Sequence, residues 1–211
     1  MTYLASAAFG CAVLVHLYAC IPPEKQPLRS ITKCLLMPLL LALYLSVKNP
    51  VSWILIGALF FSFWGDLFLS LDHRTSTFLS GLSAFGASHI LYCIHFFRLL
   101  SGTFKPGVLI PALLVYTGLL FLFLSRIFRR LPKVFVLPCL VYMILIVLMN
   151  LITLNSAVVL NTRRQWVDYI GALLFLASDA VLCVNMFYRH RAWHSVFIMA
   201  TYILAQALIV L

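Results

Sequence analysis

Long apolar runs, broken by short polar stretches, cover nearly the whole chain. Eight runs are long enough to cross a bilayer, which takes about 20 residues per helical span. They fall at about 3–21, 30–47, 51–71, 77–98, 106–124, 133–156, 166–188 and 193–211. Helix-breaking residues stand at the boundaries: Pro22-Pro23, Asn49-Pro50, Lys105-Pro106 and Pro132. The runs are continuous and do not alternate, so a closed β-barrel is excluded in favour of helices. The pattern predicts an all-α membrane protein with eight transmembrane helices and short loops, forming one integral membrane domain over 1–211.

An internal repeat is visible in the polar positions. Lys33 and Pro38 open span two as Lys133 and Pro138 open span six, 100 residues later. Asp66 and Leu69 in span three match Asp179 and Leu182 in span seven, 113 residues on. Ser88-His89-Ile90-Leu91 in span four matches Thr201-Tyr202-Ile203-Leu204 in span eight at the same offset. We therefore expect two parallel four-helix repeats, about 1–104 and 105–211, with spans three and seven as mates. Sites in bundles of this kind lie at the repeat interface.

Composition sharpens the picture. Of 211 residues, 64% are hydrophobic and 9% charged, whereas a soluble domain carries about 25% charged residues. The net charge of +10 comes from Lys and Arg at span ends, which suits anionic headgroups and topology signals. No basic helix interleaved with stacking aromatics is present, so nucleic acid is not an expected partner. Ten of the fifteen Lys and Arg residues fall on the side of loops 1–2, 3–4, 5–6 and 7–8. That side is expected to be cytoplasmic, with both termini outside. The first run lacks a basic n-region and reads as a span, not a cleaved leader. A bacterial inner membrane and an endoplasmic reticulum both fit, and self-association is left open.

Against this background two acids stand out. Asp66 lies inside Phe63-Trp64-Gly65-Asp66-Leu67-Phe68-Leu69, and Asp179 inside Leu176-Ala177-Ser178-Asp179-Ala180-Val181-Leu182. Asp72, Asp168 and Glu24 lie near span ends or in loops. A charged acid at mid-membrane costs at least about 2.5–3.5 kcal/mol, so an intramembrane acid marks a functional site by default. Buried near each other, two carboxyls cannot both ionise cheaply; one stays protonated and can act as an acid while the other serves as a base. That equipment supports hydrolysis without a metal or a covalent nucleophile.

Lesser polar groups surround the pair. Ser62, Asp66 and Ser70 share one helical stripe. His89 in span four, Tyr142 in span six, Ser178 in span seven, and Tyr202 and Gln206 in span eight are candidates for orienting the acids or the substrate. Each alone also fits a role as glue between helices. Lys33, near the end of span two, either meets a lipid phosphate or snorkels to the interface. The six cysteines form no Cys-x-x-Cys pair and read as small apolar residues. His190 and His194 are four apart but have no third ligand nearby, and Gly-x-Ser-x-Gly and His-Glu-x-x-His are absent. No metal or cofactor is expected.

The motifs Lys33 with Pro38, Gly65-Asp66-x-x-Leu69, Phe78-x-x-Gly81-Leu82-x-x-Phe85-x-x-x-His89-x-x-Tyr92, Gly171-Ala172-Leu173-Leu174-Phe175-x-x-Ser178-Asp179-x-x-Leu182 and Tyr202-x-x-Ala205-Gln206-x-Leu208-Ile209 occur in this order. In this the chain resembles the YhhN/lysoplasmalogenase family. It departs at Ile203, where relatives often carry a second Tyr, and at Cys34 to Leu36, where many have a proline. The resemblance implies hydrolysis of the vinyl ether bond of a lysoplasmalogen, a lysophospholipid substrate, to a fatty aldehyde and a glycerophospho-base. The family's two acidic positions map onto Asp66 and Asp179. An intramembrane aspartyl protease would use the same pair, but Phe63 stands where its Gly-x-Gly-Asp motif needs the first glycine. Its Pro-Ala-Leu segment occurs here at 111–113, before Asp179 and so in the wrong order. A proton-coupled transporter is the alternative from another class, since repeats and buried acids are common there.

Overall fold

A computed structural model describes residues 2–21, 26–71, 74–100, 102–127 and 130–211. The boundary prolines Pro22 and Pro23, and Glu24, Lys25, Asp72 and Arg129, lie outside the described residues. Eight helices fill the rest: α1 (Thr2–Ala19), α2 (Gln26–Val47), α3 (Trp53–Ser70), α4 (Thr75–Leu99), α5 (Pro106–Ile127), α6 (Lys133–Leu160), α7 (Arg163–Phe187) and α8 (Ala192–Val210). All eight are long and apolar enough to cross a membrane, so this is an integral multi-pass membrane protein. Water is absent from the bilayer core, and a helix satisfies its backbone groups internally. The expected and observed ends differ by a few residues: α2, α4 and α7 begin earlier, in polar interfacial residues, and α6 runs on through the apolar Ala157 to Leu160.

Pro38, Pro111 and Pro138 sit within helices. Each removes one backbone hydrogen bond, which neighbouring helices in a membrane bundle tolerate. The α6–α7 connection is short because Asn161 caps α6 in the left-handed region, at φ 46°, a conformation that asparagine adopts more readily than most residues.

Packing is closest between α3 and α4 and between α7 and α8, and glycines explain why. A Cβ at Gly65 would lie 2.6 Å from the Phe85 ring, and one at Gly81 would meet Leu69 at 2.9 Å and the Gly65 carbonyl at 3.3 Å. Without side chains there, α3 and α4 touch backbone to backbone. The main core gathers residues of α2, α3, α4, α7 and α8, with Leu36, Leu40, Leu59, Phe96 and Phe175 fully enclosed. α1 closes over this core with Phe9, Ala12, Val13 and Leu17. α5 behaves differently. Its start is pinned by Asn155 of α6, which accepts from the Lys105 amide at 3.0 Å and donates to the Thr103 carbonyl at 2.9 Å. Beyond that it packs mainly on α6, and among its residues only Tyr116 and Ile127 are buried.

Candidate functional site

The stand-off of α5 leaves a cavity of about 350 Å³ between α4, α5, α6 and α7. Its wall is almost entirely apolar, with Leu82, Phe85, Leu119, Phe123, Met143 and Leu176 among its residues, and Asp179 is the one acid among its described residues. Asp179 is 15% exposed. The Tyr142 hydroxyl donates to its Oδ2 at 2.7 Å. His89 Nε2 lies 3.8 Å from the same oxygen, too long for a hydrogen bond. The imidazole is fully buried. It stacks on Tyr142 with ring centres 5.3 Å apart and meets the edge of Phe175 at 4.6 Å. Neither ring nitrogen has a hydrogen-bond partner, an expensive state for a buried polar group.

Asp66 is held one layer deeper and is 1% exposed. Lys33 of α2 places its ammonium 3.2 Å from Oδ1, and the Tyr202 hydroxyl of α8 donates to Oδ2 at 2.8 Å. Asp66 is not among the cavity-lining residues. Phe85, which does line the cavity, packs edge-on to Tyr202 at 5.9 Å. Among the described contacts no hydrogen bond joins the two acids, yet they lie within Coulombic range of each other. Rings connect them: Tyr202 meets Phe175 at 5.4 Å, and Phe175 meets His89.

The two surroundings follow one plan. Asp66 and Asp179 are 113 residues apart, and so are His89 and Tyr202. Each acid takes one partner from the preceding helix, Lys33 or Tyr142. Each takes a ring from the last helix of the other half, Tyr202 of α8 for Asp66 and His89 of α4 for Asp179.

Six of the eight sequence candidates thus converge: Lys33, Asp66, His89, Tyr142, Asp179 and Tyr202. The Lys33 ammonium meets the Asp66 carboxylate, where the sequence had offered a lipid phosphate or a position at the interface. The other two candidates make no hydrogen bond to either acid among the described contacts. Ser178 donates to the Ile198 carbonyl at 3.0 Å, tying α7 to α8. Gln206 donates to Ser62 at 2.9 Å and accepts from the Tyr92 hydroxyl. Ser62 is in turn bonded to Ser88, which reaches the Ala58 carbonyl at 2.9 Å. These bonds join α3, α4 and α8. Phe175 stands in the family motif with Ser178 and Asp179, but sequence reading did not assign it a place between the two acids, because an apolar ring in an apolar helix does not show what it faces.

At the opposite end of the bundle Asp168 is buried and pairs with Arg164 at 2.8 Å. Beyond the end of α2, Lys48 is held below the usual ammonium range, first by burial and then by Arg164.

Comparison with known proteins shows which family the chain resembles. Lysoplasmalogenase TMEM86B of Rattus norvegicus is 31% identical over 216 residues, covering 99% of this chain and 82% of the relative. The Homo sapiens protein of the same name is 30% identical over 214 residues, covering 99% and 85%, and that of Sus scrofa 32% over 214 residues, covering 98% and 84%. No solved structure matches the chain. The YhhN family model matches residues 28–211, which include all eight candidate residues, and the chain belongs to the YhhN family.

Proposed function

We propose that this protein is a lysoplasmalogenase, an ether hydrolase that cleaves the vinyl ether bond of a 1-alkenyl-glycerophospholipid. Its full-length likeness to proteins of that name supports the reaction class. The observation that carries the reading to residues is Asp179, a carboxyl held by Tyr142 in the wall of an otherwise apolar cavity. The cavity suits an alkenyl chain, and the acid stands where such a chain would pass.

The chemistry follows from the bond. A vinyl ether accepts a proton on the carbon remote from oxygen, and the adjoining carbon becomes an oxocarbenium ion. Asp179 gives that proton and is left as a carboxylate facing the cation, an arrangement with a parallel in glycosidases. Water adds to the oxocarbenium carbon, and the carboxylate takes the proton released. In the hemiacetal the bond to the glycerol oxygen then breaks, and that oxygen receives the proton as the aldehyde forms. One water is consumed, and Asp179 ends as it began.

The remaining residues serve this sequence. His89, with two unpartnered nitrogens and a 3.8 Å gap to Asp179, orients the attacking water, since a polar gap of that length is one that water bridges. Tyr142 holds Asp179 toward the chain. Asp66, held by Lys33 and Tyr202, sets a carboxylate behind the ring wall where positive charge develops in the cavity. The same reading takes 1–104 and 105–211 as two copies of a four-helix unit, with one acid from each.

The test is mass spectrometry of 1-alkenyl-glycerophosphoethanolamine or -choline after exposure to the purified protein. Fatty aldehyde and glycerophospho-base in equal amounts are expected from the wild type and neither from Asp179→Asn. An unchanged lipid in the presence of the folded wild-type protein would refute the assignment.

A further inference from the structure

The cavity beside Asp179 has a polar floor and a thin flank. At the end away from Phe187 the floor is Tyr116. Its hydroxyl bonds with that of Tyr169 at 3.1 Å and lies 3.5 Å from Asn150 Oδ1. Asn150 in turn donates to the Ile146 carbonyl at 3.0 Å and the Ala172 carbonyl at 3.2 Å. This layer joins α5, α6 and α7, and a hydrocarbon chain threaded through it would strand buried donors and acceptors. At the other end Phe123 of α5 and Val184 and Phe187 of α7 pack around Ile127, Leu131 and Cys139. Between these two joints the helices part, since α5 packs on α6 and not closely on α7. Leu119 of α5 and Leu173 of α7 line the cavity there, yet they are 56% and 36% exposed. Ala177 and Ala180, on the same wall of α7, are small. The barrier between the cavity and the bundle surface is therefore at most one side chain thick, and that surface faces lipid.

From this we infer that the gap between α5 and α7 is a lateral portal, through which the alkenyl chain of the substrate runs from Asp179 out into the bilayer. The inference rests on the hydrolase reading and adds the path of the chain. Distances along α7 alone call for it. Beyond Asp179 the helix ends at Phe187, eight residues on and about 12 Å away, whereas its start at Arg163 is sixteen residues and about 24 Å away. The charged headgroup needs water and takes the shorter way, which points the chain toward the floor. Leu173, the first residue of α7 to line the cavity beyond Tyr169, is six residues from Asp179, about 9 Å. An extended chain advances about 1.25 Å per bond, so about seven carbons fill that distance. A lipid chain reaches across one leaflet, about 15 Å, half of a hydrocarbon core of about 30 Å. The rest of the chain has to leave the cavity, and with the floor closed the flank is its way out.

The position of the reacting bond suits such a portal. The vinyl ether is at the glycerol end of the chain, so only the first stretch of hydrocarbon has to enter for the bond to reach Asp179. A lysolipid already lies in the bilayer with its chain among other lipid chains. It can slide between α5 and α7 sideways, without its chain crossing water. The leucines and alanines of the rim offer that chain the same apolar surroundings as lipid, and the aldehyde product can return by the same route.

Uncleavable ethers test the path without asking for turnover. The probes are 1-O-hexadecyl-glycerophosphocholine and the same lipid carrying a doxyl ring on the fourth or the fourteenth chain carbon. Each is titrated against purified protein by displacement of the radiolabelled parent lipid. A ring on the fourth carbon falls inside the cavity and should weaken binding about tenfold or more, the scale of overpacking. A ring on the fourteenth lies outside the bundle and should leave binding within about twofold. Equal losses at both positions would enclose the whole chain, and no loss at either would keep it out of the cavity; each result overturns the inference. Leu173→Trp, on the rim, should weaken binding of the hexadecyl lipid about fivefold more than that of the hexyl one. Val115→Trp, on the exposed outer face of α5, should leave that ratio intact. A ratio unchanged in Leu173→Trp likewise refutes the portal. Should aldehyde release fail while the dependence on ring position persists, the hydrolase reading falls and the portal stands as a lipid-chain site. Should release succeed and ring position make no difference, the portal alone falls.

Discussion

Asp66 and Asp179 stand 113 residues apart in the chain, and their surroundings diverge. Asp66 is enclosed, faces a lysine ammonium and a phenol, and is not among the residues lining the 350 Å³ cavity. Asp179 has a phenol and an unbonded imidazole beside it and opens on 350 Å³ of apolar space. The cause lies in the helices that begin each half. α1 lays Phe9, Val13 and Leu17 on the core and closes the first half. α5 rests mainly on α6, and its inward residues Tyr116, Leu119, Leu120 and Phe123 line the cavity without filling it. One half is therefore packed solid around its acid, and the other is hollow beside it. The proposed mechanism uses that difference, with Asp66 as a charge held away from the cavity and Asp179 as the group open to it.

The largest effect expected is at Asp179. Asp179→Asn still accepts from Tyr142 but has no proton to give to carbon, and aldehyde release should fall by about 10³-fold, within the usual range for a general acid. Asp66→Asn removes the fixed charge and leaves Lys33 facing an amide, for a loss of roughly 10²-fold. If the two act separately, the double variant loses close to the product of the two factors. Equal single losses, with a double variant no worse than either, would mean a shared proton between the acids and would erase the contrast drawn above. Robust turnover by either purified single variant would end the proposed mechanism.

The pH profile probes the same division. Protonation of carbon needs one acid in its protonated form, while stabilising the cation needs the other in its ionised form. The rate of aldehyde release should therefore rise and fall in a bell. A flat profile from about pH 4 to 9 would mean that no titrating acid takes part.

Much of this was legible from the chain. Continuous apolar runs with prolines and cations at their ends admit little but spanning helices, and a carboxyl inside such a run stands out because the bilayer penalises it. The 113-residue offset also pairs His89 with Tyr202, foreshadowing the exchange of rings between halves. What the chain did not disclose is which half would be hollow. α1 and α5 are both uninterrupted apolar helices, and whether one seals or stands off depends on the surfaces it meets. Nor could it separate Ser178 from Asp179. Adjacent residues on a helix point about 100° apart, and here that turn separates a bond to α8 from the cavity wall. Lys33 was ambiguous for a similar reason, since a long flexible cation can reach water, phosphate or a buried acid.

A smaller effect separates the two phenols. Tyr142 holds the acid that faces the substrate, whereas Tyr202 supports an acid already clamped by Lys33. Tyr142→Phe should lower kcat roughly tenfold, the scale of one lost hydrogen bond to a reacting group. Tyr202→Phe should cost about threefold by the same reckoning, because the ion pair remains. Reversal of that order, measured as initial aldehyde release, would place the reacting carboxyl on α3.

The smallest effect is expected at Ser178, next in sequence to Asp179. Its hydroxyl donates to the Ile198 carbonyl, and such interhelical bonds in membranes are worth about 0.6 kcal/mol on average. Ser178→Ala should therefore lower thermal stability slightly in detergent and leave kcat within about twofold of wild type, since that loss falls on packing and not on the reacting group. Gly171 supports this division: a Cβ there would lie 2.9 Å from Ile209 and 3.1 Å from the Ala205 carbonyl, so α7 and α8 are already held at close range two turns away. A tenfold fall in kcat with unchanged stability would move Ser178 from the packing of α7 on α8 into the reaction itself. The wall of the cavity would then have to be redrawn to include the face of α7 that meets α8.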